Sequence, residues 1–253
     1  MNVISALWLR DMLRFKKERS RWFGVVAQPL LFWAIIGLGL ANSFKMPGAE
    51  KISYSTFFFP GTLVMCVLFT TVFASISIIE DRAAGFLQGV LVAPAPRSSL
   101  VFGKLAGVVT MALVQASLFL LLAPLAQYSY ASISWFALIA ALLLGCIGLS
   151  GLNFSMAWII NSTHGYHAVM SIALIPLWML SGAMFPLKGS EWLSRAMLLN
   201  PMSYFVDDVR VALSGGKFVG AYSPLVQFSG LIAFAVAMLL WAIACVKSTG
   251  GRV

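Results

Sequence analysis

The chain has 253 residues, 60% of them hydrophobic and 10% charged, and a net charge of +9. Soluble domains carry about 25% charged residues, so this composition, with a mean hydropathy of +0.93, describes a polytopic membrane protein with no room for a separate soluble domain. The basic residues lie against apolar runs, which makes the surplus a signal of membrane orientation and argues against a nucleic-acid partner.

In residues 1–21 the basic cluster follows the apolar positions, the reverse of a cleavable signal peptide. The pattern predicts an N-terminal interfacial amphipathic helix. Arg10, Arg14, Lys17 and Arg21 share one face, and Ile4, Trp8, Met12 and Phe15 share another. Such a helix serves either as an anchor to anionic membrane lipids or as a moving part.

Six runs then reach the roughly 17 to 25 residues that cross about 30 Å of hydrocarbon. They lie near Trp22–Ser43, Phe57–Ile79, Leu105–Gln127, Ile133–Ile160, Tyr166–Leu187 and Leu225–Val246. Charged residues stay out of the interior of these windows, as a cost of roughly 2.5 to 3.5 kcal/mol per central charge demands. The expected fold is an all-α integral membrane protein, with residues 1–253 forming a single transmembrane domain.

Residues 80–97 separate the second and third spans. Glu80, Asp81 and Arg82 open a predicted helix over Glu80–Ala93, about 21 Å long and too short to span. Phe86, Leu87, Val90 and Leu91 fall on one side of it, and Pro94 stops it before Arg97. A short amphipathic helix between two spans is suited to push against a partner in the cytoplasm.

Cys66, Cys146 and Cys245 lie in predicted spans, are odd in number and have no metal-ligand spacing, so they read as small buried hydrophobes. His164 and His167 have no acid or thiol nearby and read as part of a structural loop. No metal site is expected.

Lys188–Leu213 is neither apolar enough to cross nor polar enough to leave the bilayer. It carries Lys188, Glu191, Arg195, Asp207, Asp208 and Arg210, and Asn200-Pro201 would break a span in its middle. The expectation is a re-entrant helical hairpin over residues 188–213 that follows a fifth span thinned at Ser181-Gly182 and ended at Phe185-Pro186. Asp207 and Arg210, at i and i+3, are expected to form a local ion pair. An even span count puts both termini on one side. Eleven of the Lys and Arg residues then lie on the terminal side, against Lys45, Lys51 and four in Lys188–Lys217, so that side is expected to be cytoplasmic and the hairpin external.

Taken together these residues resemble the membrane subunit of type-2 ABC exporters, the ABC-2 permease family that includes drug-resistance and nodulation-factor export permeases. In the first motif Gly85, Leu87, Leu91, Pro94, Arg97, Gly103 and Lys104 match, while Phe86 replaces the usual Thr and Gln88 the usual Glu. The second motif is more specific: Leu180, Ser181, Gly182, Phe185, Pro186, Trp192, Leu193, Asn200, Pro201, Tyr204, Asp207 and Arg210 all match at fixed spacing.

The resemblance implies a dimer of permease subunits in a bacterial inner membrane, driven by separate ATPase subunits that use ATP and Mg. It implies an ATPase-coupling role for the segment from Glu80 to Arg97. The second and fifth spans would line the pathway, with Phe69, Phe73, Trp178, Met179, Met184 and Phe185 facing an amphipathic cargo. The outer gate would comprise Ser181, Gly182, Phe185, Pro186, Asn200, Pro201, Tyr204, Asp207 and Arg210. No phosphate-binding Gly-x-x-x-x-Gly-Lys-Ser/Thr motif occurs, so this chain is expected to bind no nucleotide or other cofactor itself and to be no enzyme. Leu213-Ser214-Gly215-Gly216 imitates an ATPase signature but is followed by Lys217 and has no companion motif. An ion-coupled secondary transporter and a polysaccharide-export permease of the same family are the alternative readings.

Overall fold

The computed structural model describes residues 2–17, 19–40, 52–92, 95–185, 191–216, 218, 220 and 222–248. Pro94 and Pro186, expected as helix stops, and the side chains of Leu91 and Leu193 lie outside what is described. Regular structure among the described residues is entirely helical. Helix α1 covers Val3–Lys17. Helix α2 covers Arg19–Phe32 and continues as a π-helical turn, Trp33–Leu38. Then come α3 (Tyr54–Ala83), α4 (Phe86–Val92), α5 (Ser98–Leu120) and α6 (Trp135–Ile159). Helix α7 (Thr163–Trp178) runs into a second π-helical turn, Met179–Ala183. Helices α8 (Glu191–Leu199), α9 (Pro201–Leu213) and α10 (Pro224–Ser248) complete the fold.

Among the described residues five helices are long and apolar enough to cross a membrane: α3, α5, α6, α7 with its π turn, and α10. They correspond to the second through sixth expected spans. The apolar part of α2, Val26–Leu38, is shorter, and the last residues of the first expected span lie outside the described ones. The third span is shifted from its expected window: α5 starts directly after Pro96-Arg97 and ends before a 3-10 turn at Ala123–Ala126 that contains Pro124. The shift carries Lys104 into the second turn of a membrane-length helix, against the expectation that charges stay outside.

Helix α3 is the axis of the bundle. From 57 to 79 every side chain is buried except Phe69 and Phe73, which are partly exposed. A helix buried on all sides must satisfy its polar groups internally, and Thr62, Thr70, Thr71 and Ser77 bond back to carbonyls three or four residues earlier. Pro60 removes the donor that Thr56 would have received. Tyr128 supplies a replacement, its hydroxyl donating to the Thr56 carbonyl at 3.0 Å.

Around this axis α5 packs on one side and α6 on another, with α10 against α6 and α9 wedged between α6, α10 and α3. Asn153 of α6 fastens the centre. Its Nδ2 donates to Thr71 Oγ1 at 3.0 Å, and its Oδ1 accepts from the Tyr166 hydroxyl at 3.3 Å, joining α3, α6 and α7. An aromatic cluster fills the bundle near the start of α3: Phe59 stacks on Phe119 at 5.2 Å, Trp33 meets Phe59 edge-on at 5.7 Å, and Phe58 lies 6.1 Å from Trp178.

Candidate functional site

At the C-terminal end of α3, three helices meet through charge. Lys104 of α5, 1% exposed, donates to Asp11 Oδ1 of α1 at 3.0 Å and to Asp81 Oδ2 of α3 at 2.5 Å. Arg10 forms a two-pronged pair with Asp81, at 2.8 and 2.6 Å. Arg14 pairs with Glu80 and reaches Asp81 at 3.5 Å. Three acids and three bases therefore balance, which is what buried charge requires. Burial pushes the Asp11 carboxyl above its ordinary value, with Lys104 opposing, while the bond to Asp81 raises the Arg10 pKa.

The side of α1 that packs is rotated from the apolar face of the helical wheel and shares Phe15 with it. Leu7, Asp11 and Phe15 form its buried stripe, Ile4 is exposed, and Trp8 and Met12 are partly buried. Asp11 sits among apolar neighbours because Lys104 lies opposite. Gly103 permits the approach: a Cβ there would come within 2.9 Å of Leu7 Cβ. Neither Asp11 nor the role of Lys104 was found from sequence; an acid in an otherwise basic helix and a lysine just ahead of an apolar run were the available signals.

The expected helix over Glu80–Ala93 is in fact two pieces. Glu80, Asp81 and Arg82 are the last turn of α3, and the chain breaks at Ala84-Gly85 before the seven-residue α4. Gly85 takes φ +73°, a conformation that costs other residues energy, so the break is written at the glycine. Arg82 turns inward, donating to Asn161 Oδ1 at 2.8 Å and to the Trp158 carbonyl at 2.5 Å. Phe86 lies under the Arg10 guanidinium at 3.7 Å, Leu87 is buried, Gln88 is exposed, and Arg97 is exposed and reaches the Lys247 carbonyl at 3.4 Å. Between α1 and α4 opens a cleft of about 510 Å³ whose walls include Val3, Leu7 and Arg10 on one side and Phe86, Gly89 and Val90 on the other.

At the opposite end of α3 the fifth span comes apart. Gly182 adopts φ +77° within the π turn, and unwinding frees carbonyls that have no water to bond in a bilayer. Side chains take them up. Asn200 Nδ2 donates to Leu177 O at 2.6 Å, Ser181 Oγ to Trp178 O at 2.6 Å, Arg210 Nη2 to Gly182 O at 2.8 Å and the Tyr54 hydroxyl to Met184 O at 3.1 Å. Two short helices, α8 and α9, meet at Asn200 within the segment expected as a hairpin. Asn200 caps α9 by accepting from the Met202 N–H at 3.0 Å, and Pro201 occupies the first position, where its missing N–H costs nothing.

Asp207 and Arg210 do pair, at 3.7 Å, but each has a second commitment beyond its own helix. Asp207 accepts from Gln227 of α10. Arg210 lies 4.2 Å from the centre of the Phe57 ring. Tyr204 donates to Leu198 O at 2.7 Å and packs on Tyr222 at 5.3 Å. Asp208 lacks a hydrogen-bond partner at its buried Oδ2; burial, reinforced by the charge of Asp207, pushes its carboxyl up to about 7.

The six expected pathway residues separate. Phe69 and Phe73 are stacked 6.3 Å apart on the open side of α3. Met179 and Phe185 are exposed and Met184 is partly so. Trp178 does not join them: it is 2% exposed, and its indole N–H donates to Gly61 O at 2.8 Å inside the aromatic cluster. It continues the one buried stripe of α7, Tyr166, Met170, Leu174 and Trp178, spaced every fourth residue. The histidines are helical and not in a loop; His167 is exposed in α7 with its ring 5.7 Å from Phe73.

Among the described residues four membrane-length helices beside a central fifth, a neutralised charge cluster at one end and a side-chain-capped helix break at the other define a polytopic membrane protein. The model of the ABC-2 type transporter family matches residues 2–214, and the chain belongs to that family, which places it among membrane transporters. It is similar to the transport permease ycf38 of Cyanophora paradoxa, 26% identical over 218 residues that cover 83% of this chain and 73% of that protein. The ycf38 permease of Porphyra purpurea is 27% identical over 219 residues, 83% of this chain and 74% of that protein. Both motifs read from the sequence fall within the family match, whereas α10 lies beyond it.

Proposed function

We propose that this chain is the membrane-spanning subunit of an ATP-driven exporter, forming with a second permease subunit the pathway for an amphipathic or hydrophobic substrate. A separate ATPase chain, using ATP and Mg, docks on the side carrying α1 and α4. That side is cytoplasmic, both termini face it, and the first expected span crosses the membrane as a sixth, through α2. For a bacterial chain the membrane would be the inner one. The observation that carries the reading is the cleft between α1 and α4: it adjoins the first family motif, is largely apolar, and is bounded on one side by α1, which ion pairs fix to the spans.

The cargo passes along the face of α3 that bears Phe69 and Phe73 and past Met179, Met184 and Phe185, which follow α7. The hairpin of α8 and α9 is re-entrant on the external side and gates the exit, with the Gly182 break as the part that moves. Aromatic and Met side chains accept varied apolar shapes through packing, which suits a drug, a lipid or a lipo-oligosaccharide. The test is site-directed cross-linking from Gln88→Cys, on the exposed face of α4, in membranes that contain the partner ATPase. A product containing a nucleotide-binding chain is expected. A protein that works with no such chain in contact would remove the basis of the reading.

A further inference from the structure

We propose that Lys104 and Asp11 are positioning residues for energy coupling: with Asp81 and Arg10 they form a rigid joint that carries movement of α1 and α4 into the second and third spans. The inference rests on the docking side proposed above. It begins with Arg10, which serves two partners at once. One guanidinium makes both bonds to Asp81 and also covers the Phe86 ring at 3.7 Å, so the short helix α4 touches the charge cluster directly. Between α3 and α4 the covalent link is the bent Ala84-Gly85 segment. A push on α4 arriving through that bend alone would be absorbed by it, whereas a push through Phe86 and Arg10 arrives at Asp81.

From Asp81 the load divides. Lys104 holds Asp81 and Asp11 together, and all three side chains are at most 4% exposed, so water does not compete for the bonds. Leu7 is set against Gly103 too closely for a side chain to intervene. Helix α1 and the ends of α3 and α5 are therefore expected to move as one body, and α1 acts as a lever fastened to the bundle more than as a lipid anchor. No lipid or cargo role is left for Lys104, whose ammonium is occupied on both sides by carboxylates.

The test uses the intact complex of the permease with its ATPase, reconstituted in liposomes. The paired change Asp11→Asn with Lys104→Met removes one acid and one base together, so no charge is left buried alone, and Arg10 still neutralises Asp81. The complex should assemble in normal amount and hydrolyse ATP at the normal rate, while cargo moved per ATP falls about tenfold, within the range of ordinary coupling energies. Proportional loss of hydrolysis and transport, or no loss of either, overturns the inference. If the paired variant does not fold, the wild-type complex decides: spin labels at the exposed positions Leu13 and Val114 should keep their separation between nucleotide-free and ATP-bound states, and a changed separation shows that α1 slides on α5. Failure to recover any ATPase with the wild-type chain would instead strike at the proposed function.

Discussion

The two ends of α3 meet the same problem with different chemistry. At its C-terminal end, helices α1, α3 and α5 converge on full charges, and three acids are matched by three bases. At its N-terminal end the fifth span unwinds, and neutral carbonyls are matched one by one with side-chain donors from Tyr54, Ser181, Asn200 and Arg210. Full charges set in pairs give a joint that resists separation, because each partner left alone would be a buried ion. Single hydrogen bonds to carbonyls give a break that can be redrawn bond by bond, which suits a gate. Arg210 is the exception at the carbonyl end, since one cation there serves Gly182, Asp207 and the Phe57 ring together.

That exception gives the largest expected effect. Arg210→Leu leaves Asp207 buried without its cation and Gly182 O without its donor, and should cost about 5 kcal/mol, the upper edge for breaking a buried pair. Thermal unfolding of the detergent-purified protein would register it, and Arg210→Lys should recover only part because an ammonium cannot serve the same fork. At the charged end Lys104→Met should cost less, about 3 kcal/mol, because Arg10 still holds Asp81. Asp11 already has a raised pKa, and without Lys104 its neutral form is the one the fold accepts, so the variant's melting temperature should fall as pH rises above the ordinary carboxylate range.

Trp178→Phe keeps the ring and removes the bond to Gly61 O, which retains its own bond within α3, for a loss of about 0.5–1.5 kcal/mol measured in the same way. The effect at Asp208 is read from pH dependence. Its carboxyl is raised from 3.8 to about 7, so its contribution to stability is full below the ordinary carboxylate range and is lost as pH rises through about 7. Asp208→Asn should flatten that part of the stability profile and leave the charged end unchanged.

Much of this was legible in the sequence, and the remainder was not for a physical reason. The second, fourth, fifth and sixth spans were visible within a few residues because a bilayer imposes length and apolarity on each segment by itself. The turn at Asn200-Pro201 was visible because capping is local. The joint was not, since Asp11, Asp81 and Lys104 are far apart in sequence and come together only when three helices pack. Trp178 looked like a pathway residue for the same reason. Its type suits a cargo wall, and only the neighbouring Gly61 carbonyl shows that it belongs to the core. The divided helix after α3 could have been read from Gly85, a residue that commonly ends a helix.

Transport measured in liposomes containing the permease, with and without its ATPase partner, tests the central claim most directly. Uptake of an amphipathic dye should require both the partner chain and ATP, and should be indifferent to an imposed proton or sodium gradient. Transport by this chain alone, driven by an ion gradient and unaffected by ATP, would contradict the account.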